Sequence, residues 1–437
     1  MPQSFSVAEW KKIHTRLDAD PDRYGLPERR NKSLIFATFN IREFGAHLDR
    51  KGKQRRSEGA WTLLARFVAQ CDLVAIQEVL YDLSSLSELL RRLGKDFDVV
   101  VSDIAGGTPD DNAQGERLAF VYNTKRVRRT GLASDISFGR SQIFDQLYKF
   151  RDEFEAAFDQ RAADLKEFED KQAEWKVKAD AAKAQGKRAP SRPKKPPFLL
   201  PEFIEFIRAP HVVSFEATGT GDAAPYAFIA TNAHLLYGDA SKQRDERERE
   251  FKALLAWLIA RARLQADEDA TAYAENIVMF GDFNLDFEKV DVRRKAIEQF
   301  IVDLNGKQLK GKRAAKVNFP FIDDHPVLGT IRSNARRDQT YDQIALFAHD
   351  HRLPPPQQND AAGQGGKDGY DYGLFDFVKL FFESVTGNVV AGNGIDALPK
   401  AKVTPLVRKF EWDVSDHMPI WIRLPRPHAG QEEFVWS

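Results

Sequence analysis

Acids, amides and histidines recur at the ends of the short apolar runs of this chain. Asn40 closes SLIFATFN (33–40), and Gln77 and Glu78 lie at the end of LVAIQEV (73–79). His234 ends YAFIATNAH (226–234), while Asp282 and Asn284 close NIVMFGDFN (276–284). Asp342 opens DQIALF after Tyr341, and Asp416 and His417 stand immediately before MPIWIRL (418–424). The Asp282-x-Asn284-x-Asp286 run crowds two carboxylates and an amide into one turn. Like charges so close need a turn's hydrogen bonds or a cation. Singly, each residue has an ordinary use: Asn40 or Gln77 as a turn or capping residue, Glu78 solvated, His234 a satisfied structural histidine, Asp282-x-Asn284 an Asx turn. Jointly they mean more, because strand ends at one edge of a sheet converge in space and can build one site.

The elements that must position them are legible from periodicity. The runs above, with FDVVVSD (97–103), RLAFVYN (117–123) and HVVSFEA (211–217), read as buried or half-buried strands. Residues 57–69, 82–93 and 244–264 carry apolar residues at helical spacing, and VAEWKKIHTRL (7–17) is a short helix in a polar lead-in. Strands and helices mixed along one chain indicate a layered α/β or α+β domain with sheets inside. In 141–185, Phe144, Leu147, Phe154, Phe158, Leu165, Phe168 and Trp175 repeat every three to four residues among charges and alanines, an amphipathic helix or helical hairpin. It runs into GKRAPSRPKKPP (186–197), basic, Pro-rich and irregular. The expected organisation is a lead-in over 1–32, a domain over 33–425 interrupted by a helical insertion at 141–198, and a tail at 426–437. The insertion is either an arm packed on the domain or a clamp for a substrate or protein partner. PPPQQNDAAGQGGKDGYDYG (354–373) reads as a mobile loop.

Composition narrows the classes. The 437 residues are 42% hydrophobic, enough for a large core, and Lys+Arg and Asp+Glu number 65 each, so only local patches can argue for a polyanion. RKGKQRR (50–56) and TKRVRR (124–129) are such patches, able to follow a nucleic-acid backbone or to sit solvated. The single cysteine, Cys71, excludes an intrachain disulfide and a thiolate metal site. No apolar run reaches membrane-spanning length and the N-terminal residues lack a secretory h-region, so a soluble cytoplasmic protein is expected.

In order along the chain, FNIREFG (39–45), IQEV (76–79), GERLAFVYN (115–123), NAH (232–234), GDFN (281–284), YDQI (341–344) and SDHMP (415–419) resemble the motifs of the endonuclease/exonuclease/phosphatase superfamily, and most closely its deoxyribonuclease I branch. The resemblance implies an α/β four-layer sandwich, two packed mixed β-sheets flanked by helices. It implies Mg²⁺, with Mn²⁺ or Ca²⁺ as alternatives, held by Glu78 with Asn40 and Asp416 nearby. It pairs His417 with Asp342 and His234 with Glu116, each carboxylate fixing its imidazole's tautomer and raising its basicity. His417 takes the role of base on water and His234 that of acid or phosphate donor, with the exchange open. Asp282 and Asn284 would position the water or stabilise phosphoryl oxygens, and Asp286 has only the Asx-turn or cap reading. Arg42 and Arg208 match phosphate-contacting positions; Arg42 could equally form a structural pair with Glu78.

The implied activity is a metal-dependent endonuclease on nucleic acid, chiefly DNA. A phosphatase or phosphodiesterase of lipids or small esters shares the core, and a non-catalytic binding module is the reading from another class. Gln114 stands where the secreted enzymes carry a groove-stacking tyrosine, and the insertion after VYN is foreign to the compact enzymes, so substrate engagement need not be the same.

Overall fold

The computed structural model describes residues 4–49, 51–103, 115–135, 151–196, 209–235, 241–266, 276–285, 295, 299–300, 302–303, 316–322, 324–348, 371–390 and 400–429. Two compact units are present, one formed by 1–136 with 206–437, the other by 137–205.

The larger unit holds two six-stranded mixed sheets. The first is ordered β11(Asp371–Leu374), β12(Ile420–Pro425), β1(Ser33–Phe44), β2(Leu73–Leu80), β4(Glu116–Asn123) and β3(Phe97–Val101). The second is ordered β5(Val127–Asp135), β6(His211–Ala217), β7(Tyr226–His234), β8(Asn276–Asp282), β10(Asp342–Ala348) and β9(Lys316–Asn318). Each sheet has one parallel pair joined through a helix: β1 to β2 through α2(Glu58–Gln70), and β7 to β8 through α5(Ser241–Ala266). Period-two alternation assigns the faces. On β7, Phe228 and Ala230 enter the core between the sheets, whereas Ile229 and Ala233 join Leu254, Leu255 and Leu258 of α5 in the outer layer. In the first sheet Phe36 meets Phe228 and Phe280 across the interior, and Phe39 points outward to Phe67 of α2. The α/β sandwich expected from the sequence is therefore the observed architecture.

Further helices are α1(Val7–Ala19), α3(Ser84–Leu93), α6(Phe377–Thr386) and α7(Lys400–Asp413). A capping box between Ser6 and Glu9 starts α1, and Ser57 caps α2. Buried Glu383 of α6 accepts hydrogen bonds from Arg16, Arg23, Tyr24 and the Val390 amide, tying the lead-in to the domain.

Two readings of loops need correction. TKRVRR is not a free basic stretch: Val127 opens β5, and the cations pair internally, Lys125 with Asp96, buried Arg126 with Asp72 and Arg128 with Glu216. The end of the expected 354–373 loop is strand, with Asp371, Tyr372 and Gly373 paired to Arg423, Ile422 and Trp421; residues 349–370 lie outside the described residues.

In the smaller unit, α4(Arg151–Ala184) ends at Gly186 in left-handed conformation (φ 67°), which turns the chain back. Trp175 Nε1 donates to Pro190 O at 2.7 Å and Arg161 to Pro196 O at 2.5 Å. The Pro-rich stretch is thus a strap along the helix: about 21 Å separates residues 161 and 175 of a helix, and six extended residues cover about 19 Å. Leu165, Phe168 and Trp175 are half-buried. Phe144 and Leu147 lie outside the described residues.

Candidate active site

Topology explains why the singled-out residues meet. In an open sheet the crevice lies beyond the carboxyl ends of parallel strands, and an antiparallel neighbour begins where its partner ends. Asn40, Glu78, His234 and Asp282 lie toward the carboxyl ends of β1, β2, β7 and β8. Glu116 and Asp342 open the antiparallel strands β4 and β10, and Asp416 and His417 precede β12. Register fixes the level: His234 is opposite Asp282, Asp282 opposite Asp342, and Leu80 opposite Glu116.

Asp282 is the centre. Its Oδ1 accepts the Asn284 amide at 2.9 Å, the Asx turn that holds the GDFN loop. Its Oδ2 accepts Asn40 Nδ2 at 2.9 Å across the two sheets. His234 and His417 each turn Nε2 to that same oxygen, at 3.8 and 3.5 Å. Each ring is fixed through Nδ1, His234 by Glu116 at 3.0 Å and His417 by Asp342 at 2.8 Å. Burial would raise the Asp282 pKa, but the two histidines, the Asn40 amide and the Asn284 N–H hold it below the usual carboxylate value. Burial disfavours the charged form of His417, yet Asp342 and Asp282 raise its pKa well above that of ordinary imidazole.

Glu78 reaches Asn40 through a backbone irregularity. Alternation from Gln77, which faces the other sheet, would send Glu78 outward. The β1–β2 register shifts between Asn40 and Phe44, the β2–β4 register shifts between Ile76 and Val79, and Glu78 takes φ 60°. A bulge of this kind re-aims a side chain, and a non-glycine residue there costs roughly 1–3 kcal/mol. Glu43 (φ 45°) and Asn284 (φ 50°) share the conformation. The turned Glu78 accepts Asn40 Nδ2 at 3.1 Å and the Glu43 amide at 2.9 Å. Arg42 does not pair with Glu78; its guanidinium lies 3.9 Å from Asp416 and from Glu43.

Two oxygen-rich groupings could receive a cation. Asn40 Oδ1 is buried without a hydrogen-bond partner among the described residues, beside Glu78 and linked to the Asp416 loop by Ser415 Oγ, which donates to Asn40 O at 2.7 Å. An orphaned amide oxygen next to carboxylates suits a hard divalent cation. Asp282, Asp342 and His417 form a buried group whose ligand atoms lie within 4.8 Å of one another and could also bind a metal, although His417 Nδ1 and Ser333 already occupy Asp342 Oδ2.

Several supporting residues escaped the sequence reading. Ser333 Oγ donates to Asp342 at 2.5 Å, and Ser333 O receives the Met418 amide. Asn232 bridges the sheets: its Nδ2 donates to Ile76 O and Ala119 O, and its Oδ1 accepts Gln77 Nε2. Asn232 stands inside the quoted NAH, where an inward-facing amide within an apolar run was the available signal, and Ser415 opens the quoted SDHMP; Ser333 carried none. A third histidine–carboxylate pair, His211 with Asp135 at 2.7 Å, also went unread. Arg208, Asp286 and Gln114 lie outside the described residues.

The fold and this edge define an α/β sandwich carrying two histidine–carboxylate pairs around one buried aspartate. No protein-family model matches the sequence, and no curated protein matches it. Similar solved structures include an endonuclease/exonuclease/phosphatase family protein from Bacteroides thetaiotaomicron (14% identity, 91% of this chain and 99% of that chain, TM-score 0.41). A mannosyl-6-phosphatase from the same species is similar at 15% identity over 89% of this chain and 98% of the other, TM-score 0.40. The human Nocturnin catalytic domain is similar at 12% identity over 75% and 86%, TM-score 0.39. Among the described residues no helix is long and apolar enough to cross a membrane.

Proposed function

We propose that this chain is a metal-dependent phosphodiesterase whose substrate is DNA, cut internally by in-line attack of an activated water. The observation that carries the reading is the shared carboxylate: two imidazoles, each oriented by its own acid, aim Nε2 at Asp282 Oδ2 from 3.8 and 3.5 Å. Hydrolysing a phosphodiester requires removing a proton from water, supplying one toward the phosphate or leaving oxygen, and meeting charge on the phosphoryl group. One imidazole accepts while the other donates. His417 as acceptor with His234 as donor, and the exchange, both fit this geometry, because both rings face the same oxygen. Asp282 and Asn284 orient the water, and Arg42 offers a planar cation to phosphoryl oxygens. A divalent cation such as Mg²⁺, held by Asn40 Oδ1, Glu78 and Asp416, would supply Lewis-acid stabilisation of the phosphoryl charge. The likeness of FNIREFG (39–45) to the deoxyribonuclease I branch favours DNA among esters.

The test is purified wild type and Glu78→Gln against supercoiled plasmid, linear duplex, single-stranded RNA, bis-p-nitrophenyl phosphate and sphingomyelin, with Mg²⁺ or EDTA. The expected result is plasmid nicking that needs metal and disappears in Glu78→Gln. Metal-dependent hydrolysis of the small ester or lipid without nicking would move the substrate and keep the site. Silence on every substrate would indicate a binding module.

A further inference from the structure

Beside this site stands an aromatic ring that the proposed chemistry does not use. Trp412, in the last turn of α7, is 51% exposed, and it is the largest of the exposed apolar side chains among the described residues. Its position is not that of a loose surface residue. The next residue, Asp413, is buried, and its two carboxylate oxygens receive the Ser57 amide at 2.6 Å and the Ser57 hydroxyl at 2.7 Å, locking the end of α7 to the start of α2. Buried Val414 then donates to Phe410 O, and Ser415 binds Asn40 O. The indole is therefore carried on a fixed backbone four residues before Asp416, a candidate cation ligand.

The ring also touches the site. The Arg42 guanidinium lies 5.5 Å from the centre of the indole and 3.9 Å from Asp416, and the Arg42 amide donates to Ser415 Oγ at 3.0 Å. Half-exposed Trp412 and Arg42 thus form a continuous surface from an aromatic face to a planar cation to the Asp416 carboxylate. A planar cation suits a phosphate. An exposed indole next to it suits a flat ring one residue along the same polymer, since every nucleobase has a π-face and base–aromatic stacking is indifferent to sequence. A phospholipid headgroup or a sugar phosphate presents no such ring.

We propose that Trp412 is a stacking platform for the nucleobase adjoining the scissile phosphate, which selects base-bearing phosphodiesters at this site. The inference rests on the phosphodiesterase reading above. Two oligodeoxynucleotides of equal length test it, one with ordinary bases and one with abasic residues flanking the cleaved phosphate, each assayed with the full chain and Mg²⁺. The ratio of kcat/KM for the base-bearing over the abasic strand is expected to fall about tenfold in Trp412→Ala, mainly through KM, and to be largely restored in Trp412→Phe. Thermal unfolding of both variants checks that α7 remains in place. Equal losses on both strands, or no change in the ratio, would overturn the platform. So would Glu78-dependent hydrolysis of a sugar phosphate that carries no base with neither oligonucleotide cleaved, an outcome that leaves the phosphoester reading standing. Hydrolysis that Glu78→Gln does not alter would instead remove that reading itself.

Discussion

At Asp282 two imidazoles and an amide converge on one carboxylate oxygen, so each group's cost of burial is offset by the others and none acts alone. His234→Ala and His417→Ala are each expected to lower kcat by about 10²–10⁴. Because the groups act together, the double variant should lose far less than the product, which single-turnover kinetics on one substrate would measure. Asn232 is a different kind of residue: it carries no chemistry and holds the floor of the site. Asn232→Ala removes its hydrogen bonds to Ile76 O and Ala119 O and leaves Gln77 Nε2 with Thr38 Oγ1 only, and should cost about 2–3 kcal/mol in urea unfolding. The residue types at the strand ends were legible in the sequence because each interrupts an apolar run. The turn of Glu78 toward Asn40 was not, because it depends on a register shift between neighbouring strands, and a single segment carries no record of its neighbours.

At the scale of elements, the apolar strands and five of the helices declared themselves, and the elements that went unread lacked a pattern of their own. The strand β5 (VRRTGLASD) alternates charged and small residues at a sheet edge, a composition that protects an exposed edge and mimics a loop. Helix α6 (FVKLFFESVT) is only ten residues long and buries Lys379 and Glu383 with its apolar residues, so its sequence reads as a short apolar run that could be strand or helix. Its one acid is testable. Burial would raise the pKa of Glu383, but hydrogen bonds from Arg23, Tyr24 and the Val390 amide bring it down to about 2. A carboxylate depressed in the folded state stabilises above its unfolded value of roughly 4.3, and that contribution is lost as the pH falls toward 2. Glu383→Gln should therefore flatten the fall in stability between about pH 4.5 and 2, followed by acid unfolding in circular dichroism. The hairpin after β1 gives a second test. Lys51, Lys53 and Arg55 are exposed there, while Arg56 is buried and donates to Arg42 O. Replacing the three exposed cations with glutamine should reduce the slope of log affinity for duplex DNA against log salt by about 0.9 for each phosphate no longer neutralised.

At the scale of the whole molecule, the chain leaves the second sheet at Asp135 and returns to it at His211. These residues are register partners on adjacent antiparallel strands, and their side chains are joined at 2.7 Å. Replacing 137–205 with a short Gly/Ser linker should leave Tm within a few degrees, since closing a shorter loop changes the entropy by only about 0.6 kcal/mol per halving of length. Loss of the fold would show that the smaller unit is a structural part of the larger. The sequence showed where this segment begins to differ in pattern, but not that its Pro-rich return lies along its own helix, because that depends on Trp175 and Arg161 meeting carbonyls fifteen and thirty-five residues away.

The order of strands also sets a schedule. The second sheet is built from one continuous stretch of chain, β5 to β10, whereas β1 takes as its neighbour β12, made last of all the strands. On a ribosome adding about 5–20 residues per second, one side of a buried, largely apolar strand stands without its partner for roughly 20–75 s. During that interval the edge is open to any other nascent chain. The same delay keeps Asp416 and His417 from the rest of the candidate site until the sheet is closed, so the site is incomplete until nearly the whole chain has been made.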